Sequence, residues 1–119
     1  MRLRTDPREE IERETFRREV AEPIADHLLR HRLPDQIVVI VLTKGVPLKI
    51  RGTGGPRGTQ ASVCSELAPL YRELIQGVRP SESSVQNPYF DPIAPVPFRR
   101  ADHDIYLVTR LDGYTWLQR

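Results

Sequence analysis

Lys44, Arg110 and Asp112 are the side chains best placed by the sequence to do chemistry together. Each follows an apolar run that reads as a strand, Gln36 to Leu42 in one case and Ile105 to Thr109 in the other. In open α/β sheets, clefts form beyond the carboxyl ends of the strands. If the two runs lie parallel, Lys44 and Asp112 reach one cleft as candidate catalytic residues. Asp112 would act there as acid, base or cation ligand, while Lys44 and Arg110 orient a substrate. The plainer alternative is structural and commoner. An Arg and an Asp at a strand end form a surface ion pair, and Asp112 followed by Gly113 is a turn dipeptide.

A second constellation is basic and glycine-rich. The run GTGGPRG, Gly52 to Gly58, holds four of the seven glycines, and no acidic residue falls between Asp35 and Glu66. Lys49, Arg51 and Arg57, the backbone amides at Gly54 and Gly55, and a helix start at Ser62 could together hold phosphate, sulfate or a carboxylate. The implied partner is an anionic small molecule. Neither GxxxxGK[ST] nor a strand-to-helix GxGxxG is matched, so a solvated surface loop outweighs this reading.

The remaining reactive side chains are sparse. Cys64, in the first turn of a helix, could be a nucleophile with His103 or His27 as base, but a lone cysteine on an apolar helix is more often a small core residue. Asp102, His103 and Asp104 are consecutive, so they point to opposite faces of a strand and cannot close on one ion; they read as the polar lead into it. His27 and His31 are four apart and share a helix face, which is zinc geometry only with a third ligand. No metal centre and no particular cofactor is expected. Tyr89, Phe90 and Phe98 either form a binding surface or anchor their own loop.

These residues must be positioned by one modest domain's worth of chain, 119 residues. Its 18 basic and 16 acidic residues leave a net charge of +2, too little for general nucleic-acid binding. One cysteine excludes an intramolecular disulfide and a thiolate zinc cage. The longest apolar run, Ile37 to Leu42, is too short for a membrane span, and the amino terminus has no secretory pattern; localisation stays open.

Residues 1–35 read as a charged helical segment, since the first 32 interleave eight basic and eight acidic side chains. Asp6 before Pro7, with Glu9 beyond, marks a helix start. Ile11, Phe16, Val20, Ile24 and Leu28 form its apolar stripe. Pro23 should kink or restart it, giving pieces near 7–22 and 23–31.

Residues 36–119 read as a partial α/β domain. The β-branched run QIVVIVL suits a strand covered on both faces. The glycine-rich loop comes next, then a helix from Ser62 to Gly77 interrupted at Pro69, a proline-rich crossing over 80–97, and the second strand. The expected fold class is therefore α/β, a small mainly parallel sheet with flanking helices. One such βαβ-like unit cannot cover both faces of a parallel sheet, so the sheet should be incomplete, completed by further chain or by a homo-oligomer.

The strings LTKGVPLKIRGTGG, GTQASVCSELAPLY, NPYF and HDIYLVTRLDGYT occur in that order. In these four blocks the chain, from about Ile24 to Thr115, resembles an uncharacterised bacterial family found in genomes with exosortase (PEP-CTERM type) protein-sorting systems. Members of that family are several times longer, so the resemblance implies that this chain is a fragment and that more of the α/β domain lies downstream of Trp116. It implies no established activity. Its block has an aspartate where this chain has Cys64, which undermines a catalytic thiol.

Two functions are expected on these grounds. One is a fragment of an enzyme-like α/β domain of hydrolase type, with its site around Lys44 and Asp112. The other is a non-catalytic binding or assembly module linked to surface-protein export. An enzyme should show a concave pocket where Lys44, Arg110 and Asp112 converge; a module should show a flat apolar patch or an unpaired sheet edge.

Overall fold

The computed structural model describes residues 1–52, 60–77 and 96–111. In order they form β1 (Glu10–Glu12), α1 (Arg13–Phe16), a π-helical turn (Arg17–Ala21), α2 (Glu22–Arg30), β2 (Val39–Thr43), β3 (Lys49–Arg51), β4 (Gln60–Ser62), α3 (Val63–Leu67), α4 (Leu70–Gln76), α5 (Arg100–His103) and β5 (Leu107–Leu111). Mixed helices and small sheets with parallel pairs match the α/β expectation in its coarse form.

The two strands named from sequence do pair in parallel, with Val39 opposite Leu107 and Thr43 opposite Leu111. A second sheet has the order β1-β3-β4, parallel between β1 and β3 and antiparallel between β3 and β4. The piece Leu48 to Ile50 thus contributes to a strand, and the glycine-rich run joins the two arms of an antiparallel pair.

The amino-terminal segment departs from expectation at its start. Asp6 does not cap a helix; its carboxylate accepts the Arg8 N–H at 3.0 Å and closes a local turn. Residues 10–12 are a strand instead, because the Leu48 and Lys49 N–H groups donate to the Glu9 carbonyl and Ile11 is buried. Helix begins only at Arg13. It then runs without interruption to Arg30, and the expected break at Pro23 is replaced by the π turn just upstream. There the Glu22 N–H reaches back to the Arg17 carbonyl. The widened turn makes room for a pyrrolidine ring that would jam against a regular α-helical carbonyl.

α2 ends in a Schellman arrangement. The Leu33 N–H donates to the Leu28 carbonyl and the Arg32 N–H to that of Leu29, with Arg32 at φ +55°. Pro69 separates α3 from α4, as its missing amide requires, and Gly77 ends α4 in the left-handed region, matching the sequence reading.

One hydrophobic cluster takes in Ile11, Phe16, Val20, Ile24 and Leu28 together with Leu42, Ile50, Val63, Leu67, Leu70, Tyr71 and Tyr106. The five-residue stripe read from the first segment is thus its contribution to a shared core.

β2 is covered on one face only, contrary to the expectation of two. Leu42 is buried and Ile40 half-buried, but Val39 and Val41 are 45% and 49% exposed, and Leu111 on the same face of β5 is 68% exposed. Among the described residues no further strand pairs with this two-stranded sheet. Asp102 and His103 belong to the short helix α5, not to the extended lead expected there, and Asp104 closes it in the left-handed region. Among the described residues no helix is long and apolar enough to cross a membrane.

Candidate functional site

Parallel pairing brings the carboxyl ends of β2 and β5 to one end of the sheet. From Thr43 the chain turns, the Val46 N–H donating to the Thr43 carbonyl at 3.4 Å. Gly45 takes φ +102° in open space, so backbone conformation and not crowding selects glycine there. The turn is held from two sides. Thr5 Oγ1 donates to the Gly45 carbonyl at 3.0 Å, and the Arg110 guanidinium donates to the carbonyls of Pro47 at 3.0 Å and Val46 at 2.5 Å. Pro47 itself is fully buried.

Arg110 and the Lys44 loop are therefore brought together, with Lys44 exposed on the turn. Arg110 directs two N–H groups at loop carbonyls, which makes it a brace for the loop. Asp112 lies outside the described residues.

The basic residues proposed to hold an anion are placed differently. Lys49 and Arg51 both lie on β3, beside the carboxylates of Glu9 and of β1. Lys49 Nζ lies 3.1 Å from Glu9; Arg51 Nε bonds to Glu10, and its Nη1 is 3.6 Å from Glu12. The Glu10 bond, reinforced by the charges of Glu10 and Glu12, raises the Arg51 pKa above its ordinary value. Gly54, Gly55 and Arg57 lie outside the described residues. Ser62 caps α3, its Oγ accepting the Ser65 N–H at 3.0 Å.

Cys64 is partly buried and packs against the core cluster. The two histidines considered as its base make ring contacts elsewhere. His27 lies against His31, and His103 stacks on Phe98. Tyr89 and Phe90 lie outside the described residues. Among the described residues no group of three or more His, Cys, Asp or Glu side chains could hold a metal ion.

A polar cluster at the opposite, amino-terminal end of β2 and β5 is not legible in the spacing. Arg100 lies 4.5 Å from the Tyr71 ring centroid and 5.4 Å from that of Tyr106, and the two rings meet edge to face. Arg100 Nη1 donates to the Pro34 carbonyl at 3.2 Å, which also accepts the Tyr106 hydroxyl at 2.9 Å. Tyr71 donates to Asp35 at 2.6 Å. That bond and burial raise the Tyr71 pKa against the opposing charge of Arg100. Burial pushes the Tyr106 phenol up to about 12. Both rings stay neutral at physiological pH, and the cluster ties α4 and α5 to the start of each strand.

A second pair that no periodicity announces is Arg13 with Glu66, 2.9 Å apart and only 14% and 9% exposed at the side chain. It fastens α1 to α3. For the tyrosine cluster the one signal in the sequence is chemical: a tyrosine in an apolar run needs a partner for its hydroxyl.

Comparison with family models, with curated proteins and with solved structures finds no match for this chain.

Proposed function

We propose that this chain is a non-catalytic binding or assembly module whose working surface is the open face of the β2–β5 sheet. The observation that supports it is the exposure of Val39 and Val41 on β2 and of Leu111, opposite Thr43, on the same face of β5. Parallel sheets are ordinarily covered on both faces, and a two-stranded ribbon is marginal alone. The engagement of Arg110 with two loop carbonyls also fits a binding module better than a cleft in which that guanidinium grips substrate. The tie to surface-protein export rests on the resemblance carried by the four sequence blocks.

The test is a Val39→Lys, Val41→Lys double variant of the whole chain. Exposed apolar side chains contribute little to the isolated fold, so each change should alter stability by no more than about 0.5 kcal/mol. Binding of a hydrophobic dye, and concentration-dependent association in sedimentation velocity, should both fall sharply. Unchanged dye binding and association would reject the surface. Turnover of ester or phosphoester substrates that is lost in Lys44→Ala would reinstate a hydrolase.

A further inference from the structure

We infer that the outer edge of β2 pairs antiparallel with β2 of a second copy of this chain, joining two β2–β5 ribbons into one four-stranded sheet about a two-fold axis. The inference rests on the reading of this sheet as an assembly surface and names the partner.

β5 occupies one edge of β2. The Leu107 N–H donates to the Val38 carbonyl at 3.0 Å, and with Val39 opposite Leu107 the parallel ladder turns the backbone groups of residues 38, 40 and 42 toward β5. Val39, Val41 and Thr43 therefore direct their N–H and C=O groups to the other edge, where no strand among the described residues pairs with them. The Thr43 carbonyl accepts the Val46 N–H at 3.4 Å and keeps a second lone pair. Sheet edges are ordinarily blunted by a charge, a proline or a bulge. Residues 36–43 contain no charged residue, proline or glycine, and the register with β5 runs unbroken from Val39 to Thr43. Val39 and Val41 are 45% and 49% exposed, so this edge lies at the surface.

The register follows from the ladder. An antiparallel pair centred on Val41, the middle of β2, sets Val41 against its own copy and Val39 against the other copy's Thr43, and each opposed pair exchanges both of its bonds. A two-fold axis perpendicular to the sheet puts the open faces of both copies on one side, as a continuous surface. No like charges meet along this seam. Lys44 selects the antiparallel arrangement, because six residues at about 3.4 Å each then separate the two ammonium groups by about 20 Å, beyond a Debye length of about 10 Å at 0.1 M salt. In-register parallel stacking would instead set them about 4.8 Å apart and repeat that repulsion with every added copy. The assembly therefore closes as a dimer. A seam of one short strand per copy makes it reversible and concentration-dependent.

The experiment places single cysteines in the whole chain on a Cys64→Ala background, oxidises them with glutathione disulfide and reads covalent dimer on a non-reducing gel, beside sedimentation velocity. Val41→Cys should cross-link to its copy, since a hydrogen-bonded antiparallel pair holds its Cα atoms about 5.5 Å apart, within disulfide reach. Val39→Cys, about 14 Å from its copy along the strands, should not, yet mixed with Thr43→Cys it should form the covalent heterodimer. Val41→Pro removes an outward N–H at an edge position that tolerates proline, and it should weaken association at least about fivefold while dye binding to the apolar face persists. Circular dichroism checks that each variant folds. Cross-linking of Val39→Cys as efficient as that of Val41→Cys, association unchanged by Val41→Pro, or a monomer at every concentration would overturn the seam. In each of those cases, loss of dye binding in the Val39→Lys, Val41→Lys variant would leave the open face standing as a surface for a different partner, whereas unchanged dye binding there would remove the underlying reading too.

Discussion

At Arg32 a cationic side chain occupies a backbone conformation that suits glycine. L-residues in the left-handed region carry a steric penalty of about 1–2 kcal/mol, part of which glycine gives back through the entropy of the unfolded chain. Arg32→Gly should therefore raise stability by up to about 1 kcal/mol in urea denaturation, with the slope of the transition unchanged. Tyr106→Phe acts on one bond, the hydroxyl donated to the Pro34 carbonyl. Its loss should cost about 1 kcal/mol. The same substitution should flatten the alkaline limb of the stability profile. Tyr106 titrates near 12 when folded and near its ordinary 10.0 when unfolded, so its contribution is complete below pH 10 and disappears as pH rises through 12. Thermal melts between about pH 8 and 12 on both proteins check the sign.

Among the elements, the attachment of α1 to α3 rests on a nearly buried ion pair. Removing Glu66 takes the nearly buried carboxylate away from the Arg13 guanidinium, so Glu66→Ala should cost about 3 kcal/mol. Replacing both, as Arg13→Met with Glu66→Leu, should recover much of that loss, because well-packed apolar groups avoid the desolvation that two buried ions require. A double-mutant cycle by chemical denaturation reads the coupling directly. In the helix from Arg13 to Arg30, proline within a helical pattern argues for a break, but a π turn absorbs the ring while Val20 and Ile24 keep their places in the core. Stripe residues were legible because apolar spacing reports which side chains are buried. The backbone's solution to Pro23 was not, since several local geometries preserve the same stripe.

For the whole molecule, the core joins the first thirty residues to the sheets, so disrupting one should unfold the other. Ile50→Ala, at a fully buried position of β3, should cost about 2–5 kcal/mol. It should also lower the helical signal from residues 13–30 in the same cooperative transition, as circular dichroism and a sheet-sensitive probe would show by coincident midpoints. The open β2–β5 face belongs to this scale as well, because exposure of a strand depends on what the rest of the chain covers.

By itself the sequence determined the features set by side-chain type and short-range stereochemistry: two apolar strands, the helical stripe, the Ser62 cap, the interruption at Pro69 and the stop at Gly77. These depend on neighbours within a few positions, and the chain states them directly. Tertiary structure decided which distant partners meet. It put Arg110 on the Val46 and Pro47 carbonyls, Arg100 over Tyr71 and Tyr106, and Lys49 and Arg51 beside the carboxylates of Glu9 and Glu10 some forty residues away. Many pairings satisfy the same local rules, and only packing the whole chain around one core selects among them.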